Sequence, residues 1–261
     1  MRQLVLAVAL LGVIGATPAV AQRRPVRLPD KEPDFKAFNV PYNGLLTFVR
    51  LRYTPSRIGF GGGGGFFGGV NYNWDHDYPR ADQHLMTILK ELTSIGVRVD
   101  GTNILGADDP ELFRYPVAYM AEPSYWTFTE REAKHLRNYL AKGGFIIFDD
   151  FADRQWWEFE AAIHKLLPDG RLVQLDATHP IFHSFFAIDT LDFRHPYWGQ
   201  ESVFFGMFED NDPAKRLLVI VNFNNDIGES WEWSGTGFIP IDLTNRAFKL
   251  GVNYFVYALT H

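Results

Sequence analysis

Phe145-Ile146-Ile147-Phe148 is an uninterrupted apolar run, entered from Gly143-Gly144 and left through Asp149-Asp150. Four apolar residues in a row leave no polar face, so a strand made of them must be covered on both sides. Strands covered on both sides belong to parallel sheets flanked by helices. The residues before the run support this. Thr129-Glu130-Arg131-Glu132 is a capping box, Ala133, Leu136 and Leu140 share one helical face, and the paired glycines close the helix.

The same alternation extends along the chain. Leu45 to Tyr53 reads as a strand, with Thr47, Val49 and Leu51 facing one way and Phe48, Arg50 and Arg52 the other. Leu85, Ile88, Leu89 and Leu92 recur at helical spacing after Pro79 and stop at Gly96. Val97 to Val99 and Tyr115 to Ala121 read as strands, and Gln155 to Leu167 as a helix. Val203 to Phe208 and Leu217 to Phe223 flank a turn at 209–213, a hairpin addition. Asn245 to Leu259 is a closing helix. The pattern is one doubly wound α/β domain with a mostly parallel central sheet, over residues 45–261.

What precedes that domain reads differently. Arg2, the 13-residue apolar run Leu4 to Ala16, and Ala19-Val20-Ala21 before Gln22 form a secretory signal peptide over residues 1–21. The run is too short to span a bilayer, and no later segment has the length for one, so the exported protein is expected without a transmembrane segment. Residues 22–44 are a proline-rich linker or N-terminal arm. Eight glycines between Gly59 and Gly69 predict a mobile loop; no Gly-Lys-Ser/Thr follows, which argues against a phosphate-binding P-loop.

Composition narrows the chemistry. Cysteine is absent, which removes disulfides, thiolate metal sites and a cysteine nucleophile. The net charge of -6 argues against nucleic acid as a partner. No Gly-x-Ser-x-Gly elbow, kinase set or dinucleotide fingerprint is present. No cofactor and no metal is assigned.

Ligands of open parallel sheets bind outside the carboxyl ends of the strands. Asp149 and Asp150 stand there as candidate catalytic or ligand-binding carboxylates, with a helix cap as the alternative role. Trp74, Asp75 and Asp77 follow the first strand and, with Arg50, are candidate ligand-binding residues; capping by Asp77 is the competing role. His179 is a third catalytic candidate. It lies four residues before His183, but the Glu of a zincin helix is missing. Asn222 to Glu229 reads as a polar turn, loosely like a calcium loop but without its spacing. Glu229, Trp231, Glu232 and Trp233 read either as a sugar-facing set or as a hairpin with packed tryptophans.

Several separated motifs then fall in a familiar order. They are Phe48-Val49-Arg50-Leu51-x-Tyr53, Trp74-Asp75-x-Asp77-Tyr78-Pro79-Arg80-Ala81-Asp82, Tyr115-Pro116-x-x-Tyr119-Met120, Gly143-Gly144-Phe145, Asp149-Asp150-Phe151, His179-Pro180-Ile181-Phe182 and Gly251-Val252-Asn253-Tyr254. The chain resembles the bacterial domain of unknown function 4159 family. That resemblance implies a flavodoxin-like, class I glutamine amidotransferase-like three-layer sandwich. In the amidotransferases the strand matching Phe145–Phe148 leads to a nucleophilic cysteine. Here Asp149-Asp150-Phe151 takes its place, so the resemblance implies the fold without the glutaminase reaction.

The expectation is an exported, periplasmic or extracellular module without catalysis, binding a small ligand or a cell-envelope protein. The alternative is an envelope hydrolase acting on carbohydrate or glycoconjugate through Asp149 and Asp150. Whether the chain is an enzyme stays open at this point. Export has a direct check: mass spectrometry of the secreted or periplasmic protein should find Gln22 as its first residue. Recovery of only the full-length cytoplasmic chain would refute cleavage after Ala21.

Overall fold

Alternating side chains of one strand feed two hydrophobic cores. Phe145 and Ile147 enter one, Ile146 and Phe148 the other, and all four are at most 1% exposed. This is the physical reason that the run has no polar face. The computed structural model describes residues 33–56, 71–194, 196 and 198–261. The signal segment and the glycine tract lie outside the described residues.

In chain order the described residues form β1 (Val49–Arg52), β2 (Thr54–Pro55), α1 (Arg80–Leu92), β3 (Asn103–Gly106), β4 (Val117–Ala121), β5 (Trp126–Thr127), α2 (Glu130–Ala141), β6 (Phe145–Phe151), α3 (Gln155–Leu166), β7 (Val173–Gln174), β8 (Val203–Phe208), β9 (Leu217–Phe223), α4 (Ile227–Glu232) and α5 (Ile241–Thr260). The main sheet has the order β3-β1-β4-β6-β9-β8-β7. Its first five strands are mutually parallel, and β8 joins β9 as an antiparallel hairpin. β2 and β5 form a separate two-stranded ribbon.

Leu85 and Leu89 of α1, Trp231 of α4, and Leu250 and Tyr254 of α5 share a core with Phe48, Tyr119 and Ile220. Leu136 of α2 and Phe159 and Ile163 of α3 pack with Val49, Leu51 and Val221 on the other side. The capping box at the start of α2 is present, Glu132 accepting from the Thr129 N–H and Thr129 from the Glu132 N–H.

The first strand and the edge strand differ from the sequence reading. Leu45 to Tyr53 is a strand only over Val49–Arg52. Val97 makes a single bridge to Leu46, and the edge strand comes later, at Asn103–Gly106. The described part of the arm is docked. Phe35 is buried edge-on against Tyr72 and Trp74, and Asn39 brackets Ile104 with one hydrogen bond to its N–H and one to its carbonyl. Among the described residues no helix is long and apolar enough to cross a membrane.

Phe148 meets Trp126 and Phe159, with ring centroids 5.9 and 5.3 Å away. Truncating so central a side chain leaves a cavity that the rigid sheet does not close. Phe148→Ala should cost about 3–5 kcal/mol in denaturant unfolding. A loss under about 1 kcal/mol would mean that the core collapses around the gap.

Candidate functional site

Every parallel strand of this sheet delivers its next residues to one edge. β1 leads into 71–79, β4 into Glu122, β6 ends in Asp149-Asp150-Phe151, and β9 leads into Asn225-Asp226. The chain order reverses between β1 and β4, and a crevice opens at such a reversal.

The loop after β1 is held from beneath. Arg50 is wholly buried and forms a two-point ion pair with Asp82 of α1, Nη2 to Oδ1 at 2.5 Å and Nε to Oδ2 at 3.3 Å. Its Nη1 donates to the carbonyls of Trp74, at 3.0 Å, and His76, at 2.7 Å. The Trp74 ring packs into the core against Phe35 and Tyr72. Arg50 and Trp74 therefore position the loop and present nothing to solvent.

Asp149 is also committed internally. It is 0% exposed and accepts four hydrogen bonds. Oδ1 takes Asn222 Nδ2 at 3.0 Å; Oδ2 takes the Tyr119 hydroxyl at 2.8 Å and the N–H groups of Ile227 and Gly228 at 3.0 Å. A carboxylate under the first turn of α4 complements the dipole there and joins that helix to the sheet.

Asp150 turns the other way. Its Oδ2 lies 3.1 Å from His76 Nδ1, which is also 3.0 Å from Glu122 Oε1. His76 Nε2 meets Asn71 Nδ2 at 2.9 Å, and Asn73 Nδ2 donates to Glu122 Oε2. Two groups of ligand-type atoms result, each with all members within 4.8 Å of one another: His76, Glu122 and Asp150; and Asp77, Asp150 and Asp226. Asp150 belongs to both. Asp77, Glu122 and Asp150 have left-handed backbones, with φ of 61°, 46° and 63°.

Charge is crowded here. Burial, then the charge of Asp150, pushes the Glu122 carboxyl up to about 7. The same two causes raise Asp149 to about 7 against its hydrogen bonds. Burial and neighbouring carboxylates raise Asp77 and Asp226 well above the usual range. Burial opposes a proton on His76, but the hydrogen bond and charge of Asp150, with Glu122, outweigh it and carry the imidazole up to about 10. Burial also raises Asp75, whose Oδ1 accepts the Tyr72 N–H at 2.9 Å while Oδ2 is buried without a partner.

Glu122 and Asp150 open into a cleft of about 760 Å³, lined also by Ala152, Asp153, Arg154, Gln155 and Trp198. His179 is elsewhere. It caps the turn at Pro180–Phe182, and its ring lies 5.6 Å from Phe208 and 6.0 Å from Tyr257. The Tyr257 hydroxyl accepts from the Leu217 N–H at the start of β9, whereas Asp149 binds Asn222 near its end. His179 therefore lies toward the amino end of β9, away from the carboxylates. Burial lowers its pKa, as suits a neutral structural imidazole.

Sequence reasoning did not single out Glu122, and it placed Asp226 in a polar turn. The Asp226-x-x-Glu229 spacing carried a signal: Asp226 Oδ1 accepts the Glu229 N–H at 2.7 Å as the N-cap of α4. Trp231 is fully buried in that helix, so the indole does not line a sugar site.

A family model described as Domain of unknown function (DUF4159) matches residues 47–259. No curated protein matches the chain.

The raised carboxyl groups make stability depend on pH. The folded chain keeps protons on Glu122 and Asp149 that the unfolded chain releases near pH 4, so this stabilisation is full in acid and is lost as pH rises through about 7. The His76 proton, held up to about pH 10, contributes below pH 6.5 and fades only toward that higher limit. In metal-free buffer the melting temperature should fall between pH 5 and 8, and Glu122→Gln should flatten the fall. A melting temperature that rises over that interval would contradict the electrostatics.

Proposed function

We propose that this chain, which belongs to the DUF4159 family, is an exported module of the bacterial cell envelope that binds a small polar ligand without turning it over. Export is supported by Arg2, the apolar run from Leu4 and the Ala19-Val20-Ala21 site. The parallel strands, taken in chain order, lie 2-1-3-4-5 across the sheet, which supports the flavodoxin-like, glutamine amidotransferase-like reading of the fold.

The observation that carries the binding reading is the division of the Asp149-Asp150 pair. Asp149, with four hydrogen bonds and no exposure, has no oxygen left for a substrate. Asp150 lines the cleft with Glu122, Arg154, Gln155 and Trp198. Carboxylates, a guanidinium and an amide bind hydroxyl and amide groups, and an indole face suits the apolar side of a sugar ring. This favours a glycan fragment. A hydrolase remains the second reading for one specific reason: Asp150 sits on a left-handed turn at the strand end, 3.1 Å from an imidazole, as an activated carboxylate nucleophile or base would.

Thermal shift with chito-oligosaccharides in chelator separates the readings. At ligand near 100 times its Kd, binding adds about 2.7 kcal/mol, so the wild type should melt several degrees higher. Trp198→Ala and Asp150→Asn should lose the rise, and chromatography should show the oligosaccharide intact. Cleavage products would select the hydrolase; no shift would reject a chito-oligosaccharide as the cleft's ligand.

A further inference from the structure

We propose that Asp77, Asp150 and Asp226 form a binding site for one hard divalent cation, calcium or magnesium, beside the ligand cleft.

The two overlapping groups are not equivalent. In the first, His76 Nδ1 already contacts both carboxylates, 3.1 Å from Asp150 and 3.0 Å from Glu122. The second consists of three carboxylates. Arg50 is nearby, but its charge is engaged by Asp82. Ligand oxygens on opposite sides of a calcium ion are separated by about 4.6–5.2 Å, and those around magnesium by about 4.0–4.2 Å. The ligand-type atoms of the group lie within 4.8 Å of one another, close enough to share one such ion. An all-oxygen, all-carboxylate set favours a hard ion over zinc.

A second observation points the same way. Asp77 Oδ2 is closed off from solvent and has no hydrogen-bond partner among the described residues. A buried carboxylate oxygen normally has a donor, because leaving it without one costs about 1–3 kcal/mol. The backbone at Asp77 is left-handed, with φ 61°, so the loop holds this carboxylate inward at a conformational cost. Gly228 leaves the room: a Cβ there would stand 2.6 Å from Asp77 Oδ2. Asp226 is fixed beside the site by capping α4, its Oδ1 accepting the Glu229 N–H.

The site shares Asp150 with the cleft and rests on the same reading of this edge as functional, but its test is separate. Calcium and magnesium chloride are titrated calorimetrically, up to about 10 mM, into the chelator-treated full chain with no sugar present. The expected result is a single equivalent bound, with a rise in melting temperature. Asp77→Asn and Asp226→Asn should each weaken binding about tenfold or more, while Glu91→Gln, exposed on α1, leaves it unchanged. Binding of neither ion to the wild type overturns the site, and so does undiminished binding by both variants. If a variant does not fold, the wild-type titration still decides. A null cation result alongside a sugar shift in chelator would remove the ion and leave the binding module standing.

Discussion

The buried pair between Arg50 and Asp82 organises the carboxyl edge. Neither side chain is exposed, and each charge has lost its water. Such a pair adds little net stability against a hydrophobic replacement, but removing one partner strands the other at a cost of about 3–5 kcal/mol. Its value here is positional. One guanidinium ties β1 to α1 through Asp82 and to the intervening loop through the carbonyls of Trp74 and His76. It also lies 4.9 Å from the centre of the Tyr119 ring, whose hydroxyl donates to Asp149. From there the network continues through Asn222 to the Tyr254 hydroxyl on α5. A single polar path thus connects both ends of the candidate site to the sheet.

That support is set against strain and repulsion. Left-handed backbone at Asn73, Asp77, Glu122 and Asp150 costs on the order of 1–3 kcal/mol at each residue. Glu122 is the most informative, since Asn and Asp tolerate this region and Glu does so less readily. Its backbone is pinned from two sides: Tyr53 donates to its carbonyl at 2.7 Å, and its own N–H donates to the Asp149 carbonyl at 3.1 Å. Folding energy from the two cores therefore holds carboxylates where they repel one another. A surface selected for stability alone would disperse them.

Much of the architecture was legible because it follows from periodicity and from what must be covered. The Phe145–Phe148 run, the capping box at Thr129 and the hairpin around residues 209–213 each carry local signals. The edge strand Asn103–Gly106 does not, having only Ile104 and Leu105 between polar and glycine neighbours. The short helix Ile227–Glu232 was hidden in a run of amides and carboxylates that resembles a turn. The site was legible one strand at a time. Asp75, Asp77 and Asp150 stand out by position, yet their convergence with Glu122 and Asp226 depends on strand order, which no local pattern encodes. His179 shows the converse. Its placement depends on the course of the chain between β7 (Val173–Gln174) and β8, which leaves it beside Phe208 and Tyr257.

Adjacent residues with identical side chains have opposite roles because successive residues leave a strand on opposite sides. Asp149, still in register with Ala121 of β4, points into the helix layer and finds donors on Tyr119, Asn222 and α4. At Asp150 the backbone turns left-handed, and the pairing of β6 with β9 shifts between Phe148 and Phe151. That irregularity turns the second carboxylate out of the core and toward His76, Asp77 and Asp226. The strand end thus separates two tasks that the sequence alone assigns to a pair: one carboxylate fixes a helix to the sheet, and the other faces whatever enters the crevice. Substitution of Asp149 is expected to act through folding and that of Asp150 through binding, because only the second has an oxygen within reach of the cleft.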